Sequence, residues 1–263
     1  MQFGMPFLLE NTGIEDAAKL AAELKLDFVE LNMSFPLCGL DRMEAGMLND
    51  LQQRYGLYFT FHLHEDMAPC TFSPYVRDAW QQEARDAIIL ARQAHMPTVN
   101  LHWPAGIYVT LPDRKDYLFS RYWDDYTRHA RAFRQICEEA SQGQVRVCIE
   151  NTETPWQAFQ TDCIAMMLES EVFSLTLDVG HEKVAAYGDS WFYAQHPGRL
   201  KHMHLHDANA KRCHLPLGEG ELDIAALVGK AEAAEARAVI EIKTIAALRS
   251  SIGYLRERGL YHD

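Results

Sequence analysis

Eight short runs rich in β-branched and aromatic residues punctuate this chain, and segments of helical period separate them. The runs are FGMPFLL, FVELN, YFTFHLH, TVNLHWP, RVCIENT, SLTLDVGH, LKHMHLHD and AVIEIKT. Helix candidates between them include IEDAAKLAAELK, YVRDAWQQEARDAIILARQAH, YTRHARAFRQICEEA, DCIAMMLES and DIAALVGKAEAA. Strand and helix alternating eight times over 263 residues predict a (β/α)8 TIM barrel, a fold whose usual length is about 250 residues. An open doubly wound sheet shares the alternation. No G-x-G-x-x-G turn follows the first strand, however, so its nucleotide-binding form lacks support. No low-complexity linker divides the sequence, and residues 1–263 read as one α/β domain.

Composition narrows the class. Hydrophobic residues make up 48% of the chain, enough for a sizeable core, and the net charge of −12 gives no electrostatic help to binding a nucleic acid. The N-terminus lacks a basic, apolar leader, and no run approaches 18 apolar residues, so neither a signal peptide nor a membrane span is expected. Cys38, Cys70, Cys137, Cys148, Cys163 and Cys213 are scattered without a C-x-x-C pair. They read as free thiols, and the default localisation is cytoplasmic. The longest connection, WPAGIYVTLPDRKDYLFSRYWDDY, could fold over a barrel mouth as a lid or form an ordinary structured loop.

The polar residues at the strand ends carry the chemistry. In LKHMHLHDA, His202, His204 and His206 alternate with Met203 and Leu205, so a strand would send the three imidazoles to one face. Other strand ends supply Glu30 and Asn32, His62 and His64, His102, Glu150, Asp178 and Glu241, again beside apolar neighbours. In a barrel this pattern directs the polar groups inward at the carboxyl end. Several carboxylates converging there repel one another and require a cation unless protonated. Histidine mixed with Asp and Glu suits Zn²⁺, Mn²⁺, Co²⁺ or Fe²⁺ better than Mg²⁺ or Ca²⁺. Glu150, Asp178, His204 and Glu241 are the expected ligand set. His202 and His206 read as interior or supporting residues.

CIENTE, LDVGH, HMHLHDA, LGEGELD and VIEIKT, in this order and spacing, resemble the xylose isomerase-like barrel superfamily of sugar isomerases, sugar 3-epimerases and endonuclease IV. The resemblance runs from FVELN to the last strand. It implies one divalent ion, Mn²⁺, Zn²⁺ or Co²⁺, held by Glu150, Asp178, His204 and Glu241. The nuclease branch uses three zinc ions, and its extra ligand positions match His62, His102, His181 and His214. Where that branch has an Asp two residues before the last of these, this chain has Arg212, which breaks the pattern.

The activity implied is isomerisation or C3 epimerisation of a small sugar or sugar phosphate, with a metal-stabilised enediolate. Glu150 and Glu241 would remove and return the carbon-bound proton. Substrate contacts would come from His62, His102, Trp103, His181, Arg212, His214 and Lys243, with Phe61 adding apolar surface. His62 and His102 could instead hold a second ion. Lys211, Arg212, Lys243 and the glycine N–H groups of LGEGELD could seat a phosphate, or the charges could simply be solvated. The alternatives are an endonuclease IV-like phosphodiesterase on abasic DNA and a barrel that binds metal and sugar without turnover. Homo-oligomers are compatible with the sequence.

Overall fold

A computed structural model of the chain describes residues 1–261; the last two positions of the expected domain lie outside the described residues. Eight parallel strands close into a barrel. In chain order they are β1 Phe3–Pro6, β2 Phe28–Asn32, β3 Tyr58–His62, β4 Thr98–His102, β5 Arg146–Glu150, β6 Phe173–Asp178, β7 Leu200–Leu205 and β8 Arg237–Ile240. Closure pairs Phe3 with Ala238 and Gly4 with Val239. Each expected strand is present; FVELN matches in full and the other seven are trimmed at the carboxyl end. Helices on Ile14–Glu23, Ala45–Tyr55, Pro74–Gln93, Trp123–Ser141, Ala158–Met167, Ile224–Ala233 and Ile245–Glu257 pack around it. Short helices Val179–Val184 and Ser190–Gln195 follow β6.

Alternation along the strands explains how one barrel keeps both a dry outer layer and a polar interior. Val147, Ile149, Met203, Leu205 and Ile240 join the apolar cluster that includes helix residues such as Ala84, Ile88, Phe133, Ile164 and Leu248. Removing such apolar side chains from water is the main driving term for the fold, about 25 cal/mol per Å². Glu30, Thr60, Asn100, Thr176, His202 and His204 are equally buried. They must therefore satisfy one another. Thr176 Oγ1 donates to Asn100 Oδ1 at 2.6 Å, and Thr60 Oγ1 donates to Glu30 Oε2 at 3.2 Å. This interior departs from the branched aliphatic filling common in such barrels.

The long connection after β4 folds into an antiparallel hairpin, Tyr108–Thr110 with Lys115–Tyr117, followed by a helical turn at Leu118–Arg121. It is an ordered surface element, and none of its residues lines the mouth cavity described below. All six cysteines are free. No described helix is long and apolar enough to cross a membrane.

Candidate metal and substrate site

Four strand ends meet at the carboxyl mouth. Register places Asp178 opposite His204 across β6 and β7, and His204 opposite Val239 on β8, so Glu241 arrives two residues further along. His204 Nδ1 lies 3.0 Å from Glu150 Oε1, 3.1 Å from Glu241 Oε2 and 3.9 Å from Asp178 Oδ2. Glu150, Asp178, His204 and Glu241 each offer a ligand atom within 4.8 Å of the others. Ligands held about 2.0–2.2 Å from an ion sit roughly 3–3.5 Å apart around a tetrahedron, the scale seen between these atoms. His204 Nδ1 and Glu241 Oε2 are buried without an aligned hydrogen-bond partner. Such orphaned groups are costly in an interior, and a shared dication would satisfy both. The residues therefore fit a divalent cation.

The electrostatics describe the same cluster. Burial alone would raise the Glu150 carboxyl, but His204 and His102 outweigh it and hold it well below the ordinary carboxylate range. Glu241 is likewise lowered, burial being overcome by His204, Lys243 and His214. Conversely, burial disfavours a charged His204, yet Glu150, Glu30 and Glu241 raise it well above an ordinary histidine. Asn100 Nδ2 donates a short hydrogen bond to Glu150 Oε2, and His62 Nε2 lies 3.3 Å from the same oxygen.

Local motifs explain why these groups hold their positions. Asp178 caps the helix Val179–Val184 by accepting from His181 N at 2.7 Å. His206 Nε2 donates to Asp178 Oδ1 at 2.9 Å, while its Nδ1 accepts the backbone N–H of His214 at 2.8 Å. That pairing assigns a neutral ring with the proton on Nε2. His214 delivers its N–H from a left-handed backbone, φ 54°. Between Asp178 and His181 stands Gly180, where a Cβ would meet His206 Cε1 at 2.0 Å. The glycine in LDVGH is therefore a requirement for close approach.

Of the two readings left open for LGEGELD, the hydrogen bonds of the loop give little support to a phosphate seat. Asp207 Oδ2 accepts Gly218 N at 2.9 Å, and its Oδ1 accepts Leu222 N at 3.0 Å and Ala208 N at 2.8 Å. Glu219 N and Glu221 N donate to Pro216 O and Ala208 O. These donors are spent inside the loop.

A cavity of about 440 Å³ opens above the ligand cluster. His62, His102, His181, His214 and Lys243 line it, together with Glu150 and Glu241. Two expectations need correction. Trp103 is buried at 2% exposure, donating Nε1–H to Tyr126 Oη at 2.7 Å and packing on Phe133. It lies past the end of β4 and turns into the helix layer instead of the cavity. Arg212 is exposed on the hairpin Asp207–Asn209/Arg212–Leu215 and does not line the cavity. Phe61 is fully buried in the core, and Lys211 is exposed.

Sequence reading missed Glu65, Glu153, Thr152 and Thr154 on the rim and Asn100 and Asn151 beneath it. Asn151 Oδ1 accepts Asp178 N at 2.8 Å, and its Nδ2 donates to Asp178 O at 3.0 Å, tying β5 to β6. Glu65 and Asn151 directly follow the strand motifs HLH and CIE, which was the available signal. Among the described residues four further groups could also hold an ion: His62, Glu65 and His102 and His181, Cys213 and His214 at the rim, His206, His214 and Glu241 beside them, and Glu30, His202 and His204 deeper in the barrel.

Fold and site together define a TIM-barrel protein with a candidate divalent-metal centre at its carboxyl mouth. Residues 18–258 match the family model of the xylose isomerase-like TIM barrel, and the chain belongs to that family. The uncharacterized protein MJ1188 of Methanocaldococcus jannaschii is 23% identical over 191 residues, 70% of this chain and 66% of its own length; the match thus spans just under two thirds of that relative. Among solved structures, a D-tagatose 3-epimerase-like protein superposes with a TM-score of 0.76 at 21% identity, over 98% of this chain and 96% of its own. D-psicose 3-epimerase from Clostridium cellulolyticum H10 gives 0.73 at 12%, over 99% of both chains. D-allulose 3-epimerase from Methylomonas sp., bound to D-allulose, gives 0.72 at 13%, over 99% and 97%. At these identities the likeness is one of fold.

Proposed function

We propose that this protein is a divalent-metal-dependent isomerase or epimerase of a small, unphosphorylated keto sugar. One observation carries the reading: Glu150 and Glu241 both line the cavity, and both lie within 3.1 Å of the same imidazole nitrogen. They come from β5 and from the end of β8, strands separated in the barrel by β6 and β7. Two carboxylates reaching one point from different sides are what removal and return of a carbon-bound proton needs. When bound, a divalent ion would supply Lewis acidity toward the substrate carbonyl and its neighbouring hydroxyl.

The remaining residues have matching roles. Asn100 and His62 hold Glu150, and Lys243 Nζ donates to Glu241 Oε1 at 3.0 Å. His102 and His181 present polar edges to the cavity for sugar hydroxyls. The volume suits a monosaccharide, and sugar epimerases among the structural neighbours agree with this choice of substrate. Charge favours a neutral sugar over its phosphate. Glu65, Glu150, Glu153 and Glu241 line the cavity against Lys243, and the Gly218, Glu219 and Glu221 N–H groups of the neighbouring loop already have partners.

A phosphodiesterase with several ions draws support from the two additional ligand-capable groups at the rim. The carboxylates around the opening oppose approach of a polyanion.

The test is incubation of the metal-loaded protein with ketoses and ketose phosphates in deuterated water, with NMR following exchange at C1 and C3. Exchange with free ketoses is expected, and Glu241→Gln should slow it by about 10²–10⁴-fold while ligand still binds. A protein with confirmed bound metal and no exchange across the panel would defeat the enolisation reading. About one ion per chain is expected. Three ions with cleavage of abasic DNA would establish the nuclease instead.

A further inference from the structure

We infer that Glu30 is the positioning residue for His204, holding its ring so that Nδ1 is the nitrogen offered to a metal; the inference rests on the metal-site reading above. A neutral imidazole carries one N–H and one lone pair, and only the lone pair can ligate. His204 Nδ1 faces Glu150, Asp178 and Glu241. The proton must then sit on Nε2, and the carboxylate beside that atom is Glu30, with Oε1 at 2.8 Å. The two atoms are in close contact without the alignment of a full hydrogen bond. A ligating histidine commonly has a carboxylate or carbonyl at its second nitrogen, which fixes ring and tautomer and raises ligand basicity.

Glu30 is itself immobilised. Its other oxygen accepts His202 Nε2 at 2.8 Å and Thr60 Oγ1 at 3.2 Å. The residue lies on β2, across the barrel from β7, and is 3% exposed. Its partners are two imidazoles and a hydroxyl, with no Lys or Arg among the contacts described. A role in stability alone explains this poorly, because buried ion pairs are commonly matched or exceeded by apolar residues of similar volume. His202 then has a place as well, as the brace of Glu30 on the side away from the ligand cluster. The period-two histidines of LKHMHLHDA divide the work: His204 ligates, His202 braces the carboxylate behind it, and His206 braces Asp178.

The test compares the parent protein with Glu30→Gln and Glu30→Asp. Mn²⁺ affinity is measured by chelator competition, and the Zn²⁺-loaded proteins are examined by ¹⁵N-histidine NMR. In the parent, His204 should show a metal-shifted Nδ1 and a protonated Nε2. Glu30→Gln should weaken Mn²⁺ binding about 10–100-fold with an unchanged circular dichroism spectrum, and Glu30→Asp should recover part of the loss. Affinity within twofold of the parent in Glu30→Gln, or ligation through Nε2 in the parent, overturns the assignment. Should Glu30→Gln fail to fold, the parent spectrum decides alone. A parent that binds no divalent ion defeats the metal-site reading itself, an outcome distinct from a parent that binds while Glu30→Gln binds equally well.

Discussion

The floor of the mouth and its rim are built by opposite rules. On the floor, Glu150, Asp178, His202 and His204 are no more than 2% exposed, and each carboxylate has at least two partners in fixed geometry. On the rim, the side chains of Glu65 and Lys243 are 51% and 61% exposed and reach inward to His102 and Glu241 from the solvent side. A rigid floor suits an ion, whose ligands tolerate small errors poorly; an adjustable rim suits a substrate whose hydroxyls differ from sugar to sugar. Changes on the floor should therefore be severe and insensitive to the sugar, and changes on the rim mild and dependent on it.

The largest expected effect is that of His204→Ala. Removing the sole imidazole of the ligand set leaves three carboxylates facing one another, and divalent-ion binding should fall below detection by titration calorimetry. An affinity close to the parent's would place the ion at the rim, in His62, Glu65 and His102 or in His181, Cys213 and His214, and would invert the contrast.

Gly180→Ala comes next. The new methyl would sit 2.0 Å from the ring of His206, which is fully buried and held at both nitrogens. Overpacking of this kind costs about 1–3 kcal/mol. Urea unfolding should show that loss, with weaker metal binding because His206 braces Asp178. Full stability would mean that the floor yields as readily as the rim.

A smaller effect, visible in the metal-free protein, is pH dependence. Burial would lower His62, but Glu150 raises it to about 9. A raised histidine contributes stability that is complete below its unfolded value near 6.5 and lost as pH rises through 9. His204, raised for a similar reason, acts in the same direction. His214 is lowered by burial to about 4, so its contribution is lost as pH falls from 6.5 toward 4. The melting temperature of the metal-free protein should peak near pH 6.5. Added Mn²⁺ should raise it more at pH 9 than at pH 6.5, because protons no longer compete for the ligands. A larger gain at the acidic end would contradict the assigned charge balance.

The barrel and the floor were legible in sequence because both follow from alternation. Strand period placed Glu150, Asp178, His204 and Glu241 on inward positions, and register did the rest. What escaped depended on backbone direction after the strands end. Trp103 stands one residue past β4, where period-two reasoning no longer applies, and its indole N–H found Tyr126. Gly218 lies in a glycine-rich loop that resembles a phosphate cradle in composition, but Asp207, eleven positions earlier in the chain, had already taken its N–H. Glu65 and Glu153 lie in loops past the strand ends, and only tertiary structure brings them to the cavity.

Arg212→Ala is the smallest change and the sharpest probe of what the rim recognises. The side chain is exposed and stands off the cavity, so stability should stay within about 0.5 kcal/mol of the parent. Exchange of free ketoses should be unaltered in both kcat and KM. Lys243→Ala, by contrast, removes the cation bonded to Glu241 and should change KM by a factor that varies across the sugar panel. A tenfold loss confined to ketose phosphates in Arg212→Ala would show that the hairpin swings its guanidinium over bound substrate. The acidic cavity would then be paired with a phosphate clamp outside it, and the preference for a neutral sugar would have to be abandoned.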